Sequence, residues 1–221
     1  MMLAVNGFTA EPEKWALMQR AVLNEQNLDK IKSLVASGVD PNAPIGCGTY
    51  APLNGAISQG NLKMVALLLS LKARPTDTQM VEAVSVRTPD ALKMVKMLLA
   101  AGASINARDY YSKEENLFSS PIHKAVYRGD HEMIAYLLGQ NGIELNNPDV
   151  DDSTPLMSAI KRGDETTVDM LLAAGADPRQ KNREGLDPAT VAADVIKKQQ
   201  AFIVKLSQVR SASAKRRTET D

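Results

Sequence analysis

Hydrophobic residues recur along this chain in short runs of helical period rather than in the alternation of a strand. A pair of large apolar residues, a short gap and a turn read IKSLVASGVDPN at 31–42, VALLLSLKARP at 65–75 and VKMLLAAGASIN at 95–106. The phrase returns as IAYLLGQNGIELN at 134–146 and VDMLLAAGADPR at 168–179. Its paired positions are Leu34-Val35, Leu68-Leu69, Leu98-Leu99, Leu137-Leu138 and Leu171-Leu172, at intervals of 34, 30, 39 and 34 residues. Apolar residues at i, i+3 and i+4 across 65–69, 134–138 and 168–172 predict helices with one buried face.

A second phrase precedes several of these runs: APLNGAISQG at 51–60, SPIHKAVYRG at 120–129 and TPLMSAIKRG at 154–163, with a fainter copy, GLDPATVAA, at 185–193. Pro121, Pro155 and Pro188 lie 34 and 33 residues apart. Proline suits the first turn of a helix, where its missing N–H is not needed, and Ser120 or Thr154 before it suits the N-cap. Ala56, Ala125 and Ala159 are small where neighbouring helices approach. Gly60, Gly129 and Gly163 predict left-handed ends to the first helix, and Gly38, Gly102 and Gly175 to the second.

These two phrases closely resemble the ankyrin repeat, with its period of about 33 residues and its TPLH…A…G and V..LL..GAD.N segments. The resemblance covers roughly residues 13–206. It implies an all-α ankyrin-repeat solenoid of helix–turn–helix units with short β-hairpin fingers, about six repeats including caps. The repeats would lie at about 13–45, 46–75, 76–107, 108–147, 148–181 and 182–206, after a lead-in at 1–12 and before a disordered tail at 207–221. His123 takes the His position of the TPLH phrase, which the resemblance makes a structural residue; Asn54 and Met157 are its counterparts.

The copies depart from the pattern in informative places. The first lacks the proline phrase, and Trp15, Leu17, Met18 and Val22 give it the single apolar stripe expected of an N-terminal cap. The third lacks both proline and glycine signals; its first helix is expected to start near Met80, with a trimmed finger after Pro75 and a longer inner turn at Pro89. The fourth is preceded by ARDYYSKEENLFSS, about seven residues longer than an ordinary finger. In the sixth, Val191, Val195, Phe202 and Leu206 follow helical spacing and predict a cap helix or one long helix.

Composition narrows the function. Hydrophobic residues make up 44% of the 221 and aromatic residues 4%, so the core is filled by aliphatic side chains. Lys and Arg (26) balance Asp and Glu (26), which leaves no global field favouring nucleic acid. Cys47 is the only cysteine, so neither an internal disulfide nor a cysteine-based zinc cluster is available. His131 begins HEMIA, not a HEXXH pair, and Asp149-Asp151-Asp152 lacks the glycine and terminal glutamate of a calcium loop. No metal, cofactor or catalytic residue is expected, and no signal peptide or membrane span.

The expectation is therefore a cytoplasmic, monomeric protein-binding module and not an enzyme. An inhibitor, a scaffold or an effector secreted without a conventional signal would all fit. The alternatives are an enzyme or enzyme subunit using the 107–120 loop, or a weak nucleic-acid binder. In ankyrin arrays the fingers and the exposed ends of the first helices make the concave binding face. By that resemblance the partner-binding residues are Tyr50, Tyr110, Tyr111 and Phe118 on fingers, and Tyr127, Arg128, Lys161 and Arg162 before the inter-helix glycines. Aromatic and Arg side chains suit such a role because they bury much area at small entropic cost. The finger aromatics could equally pack the long loop onto the array. An acidic edge at Glu144, Asp149, Asp151 and Asp152 beside the basic helix ends would add complementarity.

Overall fold

A computed structural model describes residues 12–22, 27–43, 51–112 and 117–218. The fold is all-α with ankyrin-type helix pairs, as the sequence leads one to expect. Among the described residues the helices are α1 (Pro12–Val22), α2 (Leu28–Ala36), α3 (Pro52–Ser58), α4 (Leu62–Ser70), α5 (Asp77–Ser85) and α6 (Ala91–Ala100). A hairpin of β1 (Asp109–Ser112) and β2 (Leu117–Ser119) follows. Then come α7 (Pro121–Arg128), α8 (His131–Leu138), α9 (Pro155–Arg162), α10 (Glu165–Ala173) and α11 (Pro188–Thr218). The chain divides into two compact units at Lys124, within α7.

In the first unit α1, α3 and α5 pack side by side, and α2, α4 and α6 each close against the helix before it. In the second, α10 packs on α8 and α9, and α9 on α11. The repeated apolar phrase supplies the core. Leu68, Leu98, Leu137 and Leu171 are fully buried, whereas their partners Leu69, Leu99 and Leu138 are only half-buried and Leu172 is exposed. Ala56, Ala125 and Ala159 have no exposed surface, in keeping with close helix approach at the small position. Full burial of one Leu stabilises by about 2 kcal/mol, so the repeated leucines are a main source of cohesion.

Helix ends follow side-chain chemistry. Thr154 accepts a hydrogen bond from the Met157 backbone N–H, with Pro155 opening α9. Asn61, Asp130 and Asp164 cap α4, α8 and α10 in the same way, accepting from Met64, Met133 and Thr167. The second helices end on a shared geometry in which the backbone N–H of Val39, Ala73, Ala103 and Ala176 reaches back to the carbonyl of Leu34, Leu68, Leu98 and Leu171. That turn needs a left-handed residue. Gly38, Gly102 and Gly175 fill it at φ near 95°, and Lys72 fills it at 69°.

Three expectations change. α5 starts at Asp77, three residues before Met80, because Thr76 and Gln79 form a reciprocal capping box: the Gln79 N–H donates to Thr76 Oγ1, and the Thr76 N–H to Gln79 Oε1 at 2.9 Å. The trimmed finger is thus shorter still, running from Leu71 to Thr76, and the longer inner turn occupies 86–90. The tail expected to be disordered from 207 is helical to Thr218 as the end of α11. Its Ala, Lys, Arg and Gln residues are strong helix formers, and the polarity that suggested disorder does not oppose a helix. In the sixth copy the single long helix is the form adopted.

Candidate protein-binding surface

The enlarged finger is an antiparallel hairpin in which Asp109 faces Ser119, Tyr110 faces Phe118, and Ser112 faces Leu117, with an irregularity between Tyr110 and Ser112. Phe118 is 2% exposed. Its ring stands 5.7 Å from that of Tyr110 and 6.3 Å, edge-on, from His123, and the Arg108 guanidinium lies 4.6 Å from its centre. His123 is itself buried, and its Nδ1 shares a 2.7 Å hydrogen bond with Ser120 Oγ. The hairpin is tied to α5 through the Arg108 N–H to Asp77 and the Thr78 hydroxyl to Asp109. The structure thus puts Phe118 in the finger's own packing and leaves Tyr110, 37% exposed, as the ring open to solvent. Tyr111 lies in β1 with its side chain outside the description, and Tyr50 and Cys47 lie outside the described residues altogether.

A polar thread buried under α3 and α5 runs beside this finger. Gln79 Nε2 donates to Asn54 Oδ1 at 2.8 Å, and the same oxygen accepts from the Ala51 N–H. Gln79, Asn54 and His123 are the same position of three successive repeats, so TDTQ at 76–79 is the proline phrase without its proline. Glu82, one turn on, has its carboxyl pushed above the usual range. Burial is the main cause, with the nearby Asp109 charge adding to it and a hydrogen bond from the Asn54 side chain opposing it.

In the second unit Tyr127 is 70% exposed at the end of α7, beside the half-buried Arg128. Lys161 and Arg162 close α9 and are both exposed. Each is already engaged: Lys161 donates to Ser153 Oγ at 2.6 Å, and Arg162 to the Tyr127 carbonyl at 2.5 Å. Gly129 holds a left-handed φ of 67°, which favours glycine, and an added Cβ there would sit 2.6 Å from the end of the Arg162 side chain and displace it. Below it, His131 Nε2 lies 3.0 Å from Asp164. Burial works against the Asp164 carboxylate, but hydrogen bonds from His131 and Thr167 more than offset it and hold its pKa below the usual range.

The acidic edge is part scaffolding and part open surface: Glu144 and Asp151 are exposed, Asp152 is half-buried and Asp149 is buried. Asp149 is 7% exposed and accepts from the backbone of Asp151 and Ser153, which is an Asx-type turn. Asp152, at φ 52°, accepts from the backbone of Arg183 and Glu184, bracing the next finger. Only Asp151 of these three is fully exposed. It lines, with Lys161, Glu184, Val191, Val195 and Lys198, a groove of about 790 Å³. Sequence reasoning missed Gln79 and the Asp164–His131 pair. The T-x-x-Q spacing was the available signal for the first, and the 33-residue separation of His131 and Asp164, one repeat, for the second. Among the described residues no group of three or more His, Cys, Asp or Glu is placed to hold a metal ion, and no helix is long and apolar enough to cross a membrane.

Residues 110–182 match the family model for ankyrin repeats (3 copies). The chain is 29% identical to the nuclear factor NF-kappa-B p105 subunit of Gallus gallus over 75% of its own length and 17% of that protein. It is 34% identical to the ANK repeat-containing protein nipk-1 of Caenorhabditis elegans over 40% of its own length and 16% of that protein. It therefore spans less than a fifth of either relative. A similar solved structure, with a TM-score of 0.66 and 25% identity, covers 82% of this chain and 93% of its own. It belongs to the complex of the Bd0816 predatory endopeptidase from Bdellovibrio bacteriovorus with immunity protein Bd3460.

Proposed function

We propose, from the premise that the chain belongs to the ankyrin-repeat proteins and is a protein-interaction module, that it binds an endopeptidase and holds it inactive. The observation that carries the partner class is the similarity to a chain of the endopeptidase–immunity protein complex, which extends over 93% of that chain. A repeat array that accounts for nearly all of a chain in such a complex supports a role in contact and occlusion. The contacts we assign are Tyr127 and Arg128 at the end of α7, Lys161 and Arg162 at the end of α9, and Tyr110 on the finger. Tyr127 has the largest exposed aromatic surface of these, and a ring left open at 70% on a rigid helix is an anchor that loses little entropy on binding. Phe118 supports the finger from within.

The test is co-expression or mixing of the full chain with endopeptidases captured from its native cell, followed by titration of peptide hydrolysis. The expected result is stoichiometric loss of hydrolysis, weakened by roughly tenfold or more when Tyr127 and Arg128 are both replaced by Ala. Capture of an endopeptidase whose turnover is unaffected at saturation would contradict inhibition while leaving binding intact. Failure to capture any endopeptidase would contradict the partner class.

A further inference from the structure

The last helix is much longer than the helix it packs on. α11 has 31 residues and α9 has 8, about 46 Å against about 12 Å at the α-helical rise. The first turns of α11 bury Val191 and half-bury Val195. The same row continues at helical spacing to Phe202 and Leu206, which are 61% and 52% exposed. Ile196 and Ile203, one heptad apart, widen that row and are 54% and 64% exposed. Isolated exposed apolar residues are ordinary, but four large ones along one helical stripe are not.

Charge adds direction. From Val195 to Thr218 the sequence has Lys or Arg at 197, 198, 205, 210 and 215–217, and neither Asp nor Glu. In a chain of zero net charge this helix is therefore a strongly basic, apolar-striped segment. We propose that the exposed stripe of α11 docks an acidic amphipathic helix of a partner protein. Apolar residues of that helix would cover Phe202 and Leu206, and its carboxylates would meet Lys205 and Lys198, which flank the row at helical spacing and of which Lys198 already pairs with Asp194 at 2.6 Å. A second copy of α11 would bring Lys rims together, which opposes pairing. A planar lipid surface would have to approach from the side of α11 that α9 already occupies. A single helix can lie in the row beyond the end of α9. Lys161, assigned to the endopeptidase, shares a groove with Val191, Val195 and Lys198, whereas Phe202 and Leu206 lie outside the lining of that groove.

The test is fluorescence anisotropy of the full chain with two designed amphipathic peptides, each with Leu on one face and either Glu or Lys on the other. The Glu peptide is expected to bind, and to weaken by roughly tenfold or more in high salt and in a Phe202→Asp/Leu206→Asp variant. Lys198→Glu/Lys205→Glu is expected to exchange the preference, so that the Lys peptide binds instead. All these side chains are exposed, and an unchanged melting curve checks that each variant folds. Equal binding of both peptides, or of neither, would overturn the proposal. So would a dimer of the full chain dissociated by Phe202→Asp/Leu206→Asp, which would assign the stripe to a second copy. Phosphatidylserine vesicle binding lost in that same variant would assign it to lipid.

Discussion

The finger after α4 and the finger after α6 begin alike and finish alike, yet one runs six residues, 71–76, and the other twenty, 101–120. Both start from the same helix end, with Ala73 reaching back to Leu68 and Ala103 to Leu98. Both finish on a hydroxyl residue before a first helix, Thr76 or Ser120, whose side chain meets a polar residue three positions on, Gln79 or His123. What lies between is free. The short finger passes directly to its cap, and the long one adds a hairpin with its own small aromatic core around Phe118. The difference teaches that the repeat constrains its ends and its buried leucines, while the finger is where this array departs from uniformity.

That contrast breaks most readily at Phe118. Phe118→Ala should destabilise the first unit by about 3 kcal/mol, the loss for a buried aromatic, as read by denaturant unfolding. An effect below about 1 kcal/mol would mean that the hairpin hangs free of the array. Gln79→Ala should cost about 2 kcal/mol, since it strips Asn54 of a buried donor and the Thr76 N–H of its acceptor. Exchanging the turn residues should act with opposite signs. Gly102→Ala should destabilise by about 1 kcal/mol, and Lys72→Gly should stabilise by a few tenths, because of these two positions Lys72 is the one that now holds a side chain in the left-handed region.

The smallest effect is a pH dependence at Glu82, between the two fingers. Its folded pKa lies above the ordinary value of 4.5, so the folded state holds the proton more tightly than the unfolded chain. Stability contributed by this group is therefore present below 4.5 and declines as pH rises through the raised folded value. Glu82→Gln should flatten that decline and leave stability near neutrality slightly higher. Equal slopes of stability against pH in both proteins would remove Glu82 from the account.

Much of the fold was legible because the leucine pairs and the glycine turns repeat in the sequence at nearly constant spacing. The start of α5 was less so, since Thr76-Asp77-Thr78-Gln79 keeps the capping chemistry but drops the proline that advertises it. The end of α11 was misread for a related reason: a polar, alanine-containing tail suits either solvent or a helix, and local composition does not separate them. At the candidate surface, residue type pointed to rings and cations but not to which were already engaged. Phe118 is buried by Arg108, Tyr110 and His123, and Asp149 and Asp152 serve neighbouring backbone; both depend on contacts that sequence spacing does not display.

The most direct measurement is hydrogen exchange of the full chain with and without an endopeptidase of the proposed class that it captures. The account predicts slowed exchange at the ends of the first helices, around 127–129 and 161–163, and on the finger at 109–112. The outer turns of α8 and α10 should be unchanged. Protection confined to α8 and α10, with the first-helix ends and finger exchanging as in the free chain, would contradict it.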